Sequence, residues 1–352
     1  MAMRTIVGTM TGTSMDGVDA VSVNIDGFGE TMSASYSKMA SCGLGEAKHL
    51  LQKLAMQGGS QEEMDKAAML VGEITAEAIY KLELNAIDLI ALHGQTIFHK
   101  PPKSIQLINH SPIAKRFPCK IFTDPRQHDL QLGGQGAPIT PLADWIMFRS
   151  EEKSTAIVNL GGFCNVTILQ ANCKPEEIKG FDVCCCNLIL NTIALTRLNC
   201  EYDEYGEEAT KGVVDRAAYE LLLQKLNEQN HAHRSLGTND DLGEFVLNIG
   251  NSLSTPDLLA TSIDAIGTCI TASTQSVDRI LLAGGGVHNN ALSKAIKNDG
   301  TIETLGVPTQ AREAMAMAIL GALAQDGVSI TVPKITGRQD SKEVVGWIQA
   351  SP

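Results

Sequence analysis

The sequence predicts an α/β protein of two related domains, and three observations carry the prediction. Short apolar strands alternate with helical stretches along the whole chain, the pattern of sheets covered by helices. A strand, a Gly-rich polar turn and a second strand occupy 4–25, and the same theme returns at 154–169. Finally, 352 residues suit two domains of ordinary size.

The elements follow in order. RTIVGTM (4–10) and VDAVSVNI (18–25) read as strands joined by a Gly/Thr/Ser/Asp turn. Helical stretches are expected near 45–56 and 61–83. In the second, Met64, Ala67, Ala68, Val71, Ile74 and Ala78 recur at helical spacing. AIDLIALHG (86–94) is a buried-type strand, and SIQLIN (104–109) and KIFTD (120–124) are strands around a short helix. A helix follows GGQGAP (133–138) to about 149. STAIVNLGG (154–162) and FCNVTIL (163–169) repeat the opening, and EIKGFDV (177–183) leads into a helix over 187–198. A largely helical region spans 207–276. DRILLAGGGVHNN (278–290) is strand, Gly-rich turn and helix start, TIETL (301–305) precedes a helix over 311–325, and KITGRQDSKEVVGWIQ returns to a sheet. The expected division is a first domain over 1–124, which the C-terminal tail can complete, and a second over 125–352.

Composition excludes several functions. Net charge is −12, so a broad basic face for nucleic acid or anionic membrane is not expected. No stretch approaches the roughly 18 apolar residues of a membrane span. MAMRTIVGTMTGTSMD turns polar too early for a signal peptide, which points to the cytoplasm. Nine cysteines without regular spacing fit reduced thiols there.

Three Gly-rich turns carry the chemistry. GTMTGTSMDGVD (8–19) combines glycines, hydroxyls and two aspartates. Glycine lets backbone N–H groups approach a polyphosphate, and an aspartate can orient hydrated magnesium. A polar β-turn without ligand is the plainer alternative, and no GK[ST] follows to make a Walker loop. NLGGFCNV (159–166) is a second such turn, and AGGGVHNN (283–290) a third, at a strand-to-helix junction. Asn289 stands where a dinucleotide fingerprint wants its last glycine, which weakens an NAD reading. Three turns after apolar strands favour a nucleotide held between two similar domains.

GTMTGTSMDGVD, LHGQTIFH (92–99), DPRQHDLQLGGQGAPITP (124–141), IVNLGGFCNVT (157–167), GFD (180–182), LLAGGGVHN (281–289) and REAMAMA (312–318) occur in that order. Together they resemble the anhydro-N-acetylmuramic acid kinase family across nearly the whole chain. That family belongs to the sugar kinase, heat-shock ATPase and actin superfamily. The resemblance implies two actin-like ATPase domains, each a mixed sheet flanked by helices, around a cleft. It implies that water opens 1,6-anhydro-N-acetylmuramic acid at the anomeric carbon while the freed O6 takes the γ-phosphate of ATP, with Mg²⁺ as cofactor and a homodimer as the assembly.

Carried over residue by residue, the resemblance makes Gly12, Thr13, Ser14, Met15, Asp16, Gly17, Val18 and Asp19 the ATP phosphate loop, with Asp16 or Asp19 toward Mg²⁺. Gly161 and Gly162 flank the phosphates, and Gly284, Gly285, Gly286 and Asn289 line the adenosine side. His93, Gln95, Thr96, Arg126, Asp129 and Glu313 face the sugar, and Asp182 is the general base. Read without the family, His93 is a satisfied strand-end histidine, Arg126 and Asp129 a surface pair, and Glu313 an ordinary charge in a helix's first turn.

One segment departs from the family. After GFD the family runs Thr-Gly-Pro-Gly-Asn, whereas this chain has Val183, Cys184, Cys185, Cys186 and Asn187. If glycine is needed there for positive φ, each cysteine costs on the order of 1 kcal/mol. Restoring the family's four residues is then expected to relieve strain in a substrate-side loop and to maintain or raise activity. The departure keeps two alternatives open: an impaired nucleotide- or sugar-binding homologue, and a kinase for another anhydro-sugar. Three adjacent cysteines without a CxxC partner do not build a tetrahedral zinc site, so packing is the expected role.

Overall fold

The opening hairpin sets the pattern for both halves. The computed structural model describes residues 3–12, 15–231, 236–237, 240–339 and 346–349, so Thr13 and Ser14 lie outside the described residues. Strands β1 (Arg4–Thr11), β2 (Gly17–Asp26) and β3 (Ser33–Gly43) run antiparallel in sequence, and β4 (Leu89–Ala91) joins β1 in parallel. Strands β5 (Gln95–Lys100) and β6 (Lys103–Leu107) form a separate two-stranded ribbon. Strand β7 (Lys120–Thr123) pairs in parallel with β4. In the other half, β8 (Thr155–Leu160), β9 (Phe163–Leu169) and β10 (Lys179–Cys185) are again antiparallel, and β11 (Arg279–Ala283) joins β8 in parallel. Strand β12 (Trp347–Gln349) returns antiparallel to β7. The sheet orders are β12-β7-β4-β1-β2-β3 and β10-β9-β8-β11. The segment β3-β2-β1-β4 thus has the same order and directions as β10-β9-β8-β11, and the duplication read in the sequence is a duplication of topology.

The chain divides into two units: Met1–Phe148 with Lys174–Ile178 and Gly306–Pro352, and Arg149–Cys173 with Lys179–Leu305. Residues 125–148 and Gly306 onward therefore belong with the first unit, where the sequence division opened its second domain at 125.

The first core joins Val7, Val18, Ile90 and Ile121 of the sheet to Leu51 and Leu54 of helix Ala47–Gln57 and Val71 and Ile79 of helix Gln61–Tyr80. The second of these helices starts on a capping box, with Ser60 Oγ accepting from Glu63 N and the Glu63 carboxylate accepting from Ser60 N. On the same sheet lies helix Arg312–Gln325, buried along nearly its whole length. It passes so close to β1 that a Cβ on Gly8 would stand 1.9 Å from the Ala314 carbonyl oxygen. The second core joins Val158, Val166 and Val183 to Ile189 and Ile193 of helix Asn187–Leu198, and to Leu259 and Ile266 of helix Thr255–Ser273. Among the described residues no helix is long and apolar enough to cross a membrane.

Candidate active site

In the first unit the β1–β2 turn is bent by backbone bonds. Met15 N donates to Gly12 O at 3.1 Å, and Met15 takes φ 55°. Met15 and Val18 point into the core, at 8% and 1% exposure, so their side chains pack rather than face a ligand. Gly17 lies where a Cβ would meet Cys42 O at 2.7 Å. Asp16 remains on the surface and pairs with Lys48 at 3.2 Å. Asp19 accepts from Ser41 Oγ at 2.5 Å, and burial raises its carboxyl pKa despite that bond. A half-buried carboxylate of this kind gains from a nearby cation. No cluster of three or more His, Cys, Asp or Glu among the described residues could hold a metal unaided. The donor set fits magnesium that arrives with phosphates and meets only one or two carboxylates.

Gln95 opens β5 fully buried, and its Nε2 reaches Gly12 O at 3.3 Å. Its Oε1, and the Oγ1 of Thr11 beside Gly12, are buried with no partner among the described residues. Thr96 Oγ1 accepts from Gln106 Nε2 at 3.4 Å. His93 is 2% exposed, and Arg126 Nε donates to its Nε2 at 3.0 Å. Burial and the Arg126 charge hold the imidazole well below its ordinary pKa. Arg126 Nη1 also donates to Gly136 O at 2.8 Å.

Asp129 corrects an expectation. It is no member of a surface pair with Arg126. It is fully buried, and its Oδ1 accepts from Thr331 Oγ1 at 3.0 Å and Thr336 Oγ1 at 2.8 Å. Its Oδ2 accepts from Gly136 N at 2.8 Å, and Arg338 Nε forms an ion pair at 3.1 Å. Asp129 clamps the GGQGAP loop to the C-terminal segment. Glu313 stands half-buried in the first turn of the helix that Arg312 opens, and Arg312 is buried against Asp144.

In the second unit the glycines build a backbone cradle. The carbonyls of Gly161 and Gly162 accept from Asn187 N at 3.1 Å and from Cys186 N at 2.9 Å, so this turn caps helix Asn187–Leu198. Asn187 Nδ2 donates to Leu160 O at 3.1 Å. Gly284 has φ 81°, which favours glycine, and a Cβ there would stand 2.8 Å from Asn159 Oδ1. A Cβ on Gly286 would stand 2.6 Å from Leu160 Cβ, whereas Gly285 has open space before it. Asn289 caps the next helix, its Oδ1 accepting from Leu292 N at 3.0 Å. Asp182 lies on β10 opposite Asn165, and its Oδ2 accepts from Leu236 N at 2.7 Å.

The cysteine segment also departs from expectation. It is no loop: β10 continues through Cys185 and the helix begins at Asn187. None of Val183, Cys184, Cys185 or Cys186 has positive φ, and all four are fully buried in the second core. Cys185 N donates to Gln229 Oε1 at 2.8 Å. The positive φ that would cost each cysteine is therefore not taken here, and the cysteines pack in the core. Burial pushes the Cys185 thiol up to about 12 and raises Cys186, while the hydrogen bond with Cys269, followed by burial, raises Cys184, which leaves all three poor nucleophiles.

Several participants escaped the sequence reading: Lys48, Ser41, Leu236, Asp144 and the capping role of the Gly161–Gly162 carbonyls. Of these, Asp144 alone could have been sought, through its partner Arg312, a cation at the head of an apolar helix.

The family model described as anhydro-N-acetylmuramic acid kinase matches residues 4–350. The anhydro-N-acetylmuramic acid kinase of Salinibacter ruber is 28% identical over 95% of this chain and 93% of its own length. That of Caldanaerobacter subterraneus is 29% identical over 95% and 94%. That of Rhizorhabdus wittichii is 30% identical over 96% of each.

Proposed function

Since the chain belongs to the anhydro-N-acetylmuramic acid kinase family and is an enzyme of it, we propose the following reaction for its residues. Water opens 1,6-anhydro-N-acetylmuramic acid, and ATP phosphorylates the freed O6, giving N-acetylmuramic acid 6-phosphate and ADP for cell-wall sugar recycling in the cytoplasm. The observation that carries the reading is the family match across residues 4–350, with the GFD aspartate retained.

Asp182 takes a proton from water. The water oxygen bonds to the anomeric carbon as the C1–O6 bond breaks, and O6 uses that electron pair to bond the γ-phosphorus. The β–γ bridging bond breaks, and its pair leaves on ADP. The Leu236 N–H donated to Asp182 Oδ2 helps to hold the carboxylate in place for this step. Within the second unit the turns at Gly161–Gly162 and Gly284–Gly286 would present backbone to the nucleotide, and Gly285 leaves room for it. When bound, magnesium neutralises charge on the transferring phosphoryl group, and Asp16 or Asp19 would hold its water shell. His93, Thr96, Arg126 and Glu313 serve the sugar, Gln95 braces Gly12, and Asp129 braces the loop behind them.

The test incubates purified protein with Mg-ATP and the anhydro-sugar in ¹⁸O-water and reads products by mass spectrometry. A 6-phosphate bearing one ¹⁸O at C1 is expected. ADP without phosphorylated sugar, or phosphorylation of a sugar whose anhydro bridge is intact, would exclude the reaction.

A further inference from the structure

We propose that Arg126 is a positioning residue whose Nε–H, donated to His93 Nε2, locks this imidazole as the neutral Nδ1–H tautomer and makes His93 a fixed hydrogen-bond donor. That the acceptor is a sugar oxygen rests on the function proposed above; the tautomer itself does not.

A guanidinium has only donors and keeps its charge throughout the working range of proteins. A ring nitrogen that faces Arg126 Nε at 3.0 Å must therefore offer a lone pair. The ring's proton then belongs to Nδ1. Doubly protonated imidazole has no lone pair for Arg126, and it would place a second cation beside the first in a site 2% exposed. Burial and the Arg126 charge both depress the imidazole pKa, and only the Gly94 backbone opposes them. Nδ1 is itself buried, with no hydrogen-bond partner in good geometry. A buried donor held in this state favours an incoming oxygen.

The aim of Arg126 is set independently of His93. Its Nη1 donates to Gly136 O at 2.8 Å, and Gly136 N donates to Asp129 Oδ2 at 2.8 Å. Gly136 sits at φ 68° with Leu130 closing on the position of a Cβ, so the turn is rigidly defined. Thr331, Thr336 and Arg338 hold the other side of Asp129. The path from the C-terminal segment to the His93 ring is thus a run of buried and part-buried polar contacts within one unit.

Two buried charges on neighbouring elements are paired among the described residues. Asp129 is compensated by Arg338, and Arg312, on the helix that packs against β4, is compensated by Asp144. His99 answers to the same guanidinium: burial and Arg126 lower it to about 4.

The test is nitrogen NMR of the full chain labelled with ¹⁵N-histidine, with His93 assigned through His93→Asn. The expected pattern for His93 is a protonated Nδ1 and an unprotonated Nε2, unchanged from mildly acidic to mildly alkaline pH. In Arg126→Met the pattern should become a mixture of tautomers and titrate on acidification, with kcat/KM for the sugar falling at the same acidic limb and KM for ATP unmoved. Arg126→Lys, which retains a donor, should restore the single tautomer, and Arg126→Leu, which also lacks a donor, takes the place of the methionine variant if that one does not fold. A protonated Nε2 or an imidazolium in the unmodified protein overturns the proposal, as does an Arg126→Met protein whose His93 keeps the original pattern. A protein with the expected pattern but no kinase activity would sink the function proposed above and leave this assignment intact.

Discussion

Both oxygens of Asp144 bind the Arg312 guanidinium, Oδ1 accepting from Nε at 2.9 Å and Oδ2 from Nη2 at 2.5 Å, with neither side chain open to solvent. The pair ties helix Pro141–Phe148 to the head of helix Arg312–Gln325 across a sequence separation of 168. A buried pair is worth little against an apolar replacement, but half a pair is expensive. Arg312→Met should therefore lose about 3–5 kcal/mol of stability in urea unfolding. The double variant Arg312→Met, Asp144→Leu should recover most of it. A single variant as stable as the parent would show that the two charges do not depend on each other.

Asp182→Asn retains the shape that accepts from Leu236 N and removes the proton acceptor. Turnover should fall by about 10²–10⁴-fold, with the Mg-ATP-induced rise in melting temperature preserved. Turnover near that of the parent would remove Asp182 from the reaction.

Two adjacent glycines should respond in opposite ways. Gly285 faces open space, so Gly285→Leu should fold with unchanged melting temperature yet lose the stabilisation that millimolar Mg-ATP confers. Gly286 has Leu160 Cβ 2.6 Å from the position of an added Cβ. Gly286→Ala should lose about 1–3 kcal/mol before any ligand is added. Equal effects of ATP on the parent and on Gly285→Leu would separate this turn from the nucleotide.

The cysteines should behave as core. Cys184→Ala and Cys186→Ala should each lose on the order of 1 kcal/mol, because each leaves a small cavity among buried side chains, and the purified protein should contain no stoichiometric zinc. The Thr-Gly-Pro-Gly replacement at 183–186, once expected to help, should destabilise. Proline at 185 deletes the N–H that Gln229 accepts, and glycine at 184 and 186 empties the core. A swapped protein more stable than its parent would restore the strained-loop reading.

Acid should act partly through His99. Its imidazole is lowered from 6.5 to about 4 by burial and by Arg126, while its Nδ1 lies 2.8 Å from Ser104 Oγ. The unfolded chain takes up a proton in that window that the folded chain refuses. Its contribution to stability is thus complete above 6.5 and is lost as pH falls toward 4. His99→Gln should lose less stability than the parent between about pH 7 and pH 5, measured by urea unfolding at both. Parallel losses would place the acid sensitivity elsewhere.

What the sequence disclosed follows from what drives each element. Strands β1, β2, β7, β8, β9 and β11 carry apolar runs and were readable. Strand β3 was not, because SASYSKMASCG is an edge strand with mostly exposed or half-exposed residues and lacks a buried face to write an alternation. Strand β5 was missed for a related reason, lying in a two-stranded ribbon outside the main sheets. The Gly-rich turns were legible as turns, but the contrast between Gly285 and Gly286 depends on Leu160, far away in sequence. The burial of Asp129 was not legible because its hydroxyl partners lie 202 and 207 residues downstream. The three cysteines looked strained by comparison with glycine, yet the local backbone never enters the conformation that glycine favours.

The return of the chain into its first unit sets a timetable for synthesis. Arg4 finds Asp326, β7 finds β12, and Gly8 receives Ala314 only after the whole second unit has been made. At roughly 5–20 residues per second, the ribosome needs about 8–30 s to pass from Phe148 to Gly306. During that interval the second unit can finish while β1 and β4 lack the helix that will cover them. The half that is translated first is therefore the half completed last, and a nascent chain arrested before Gly306 holds one finished unit and one whose apolar sheet face is still open to chaperones and proteases.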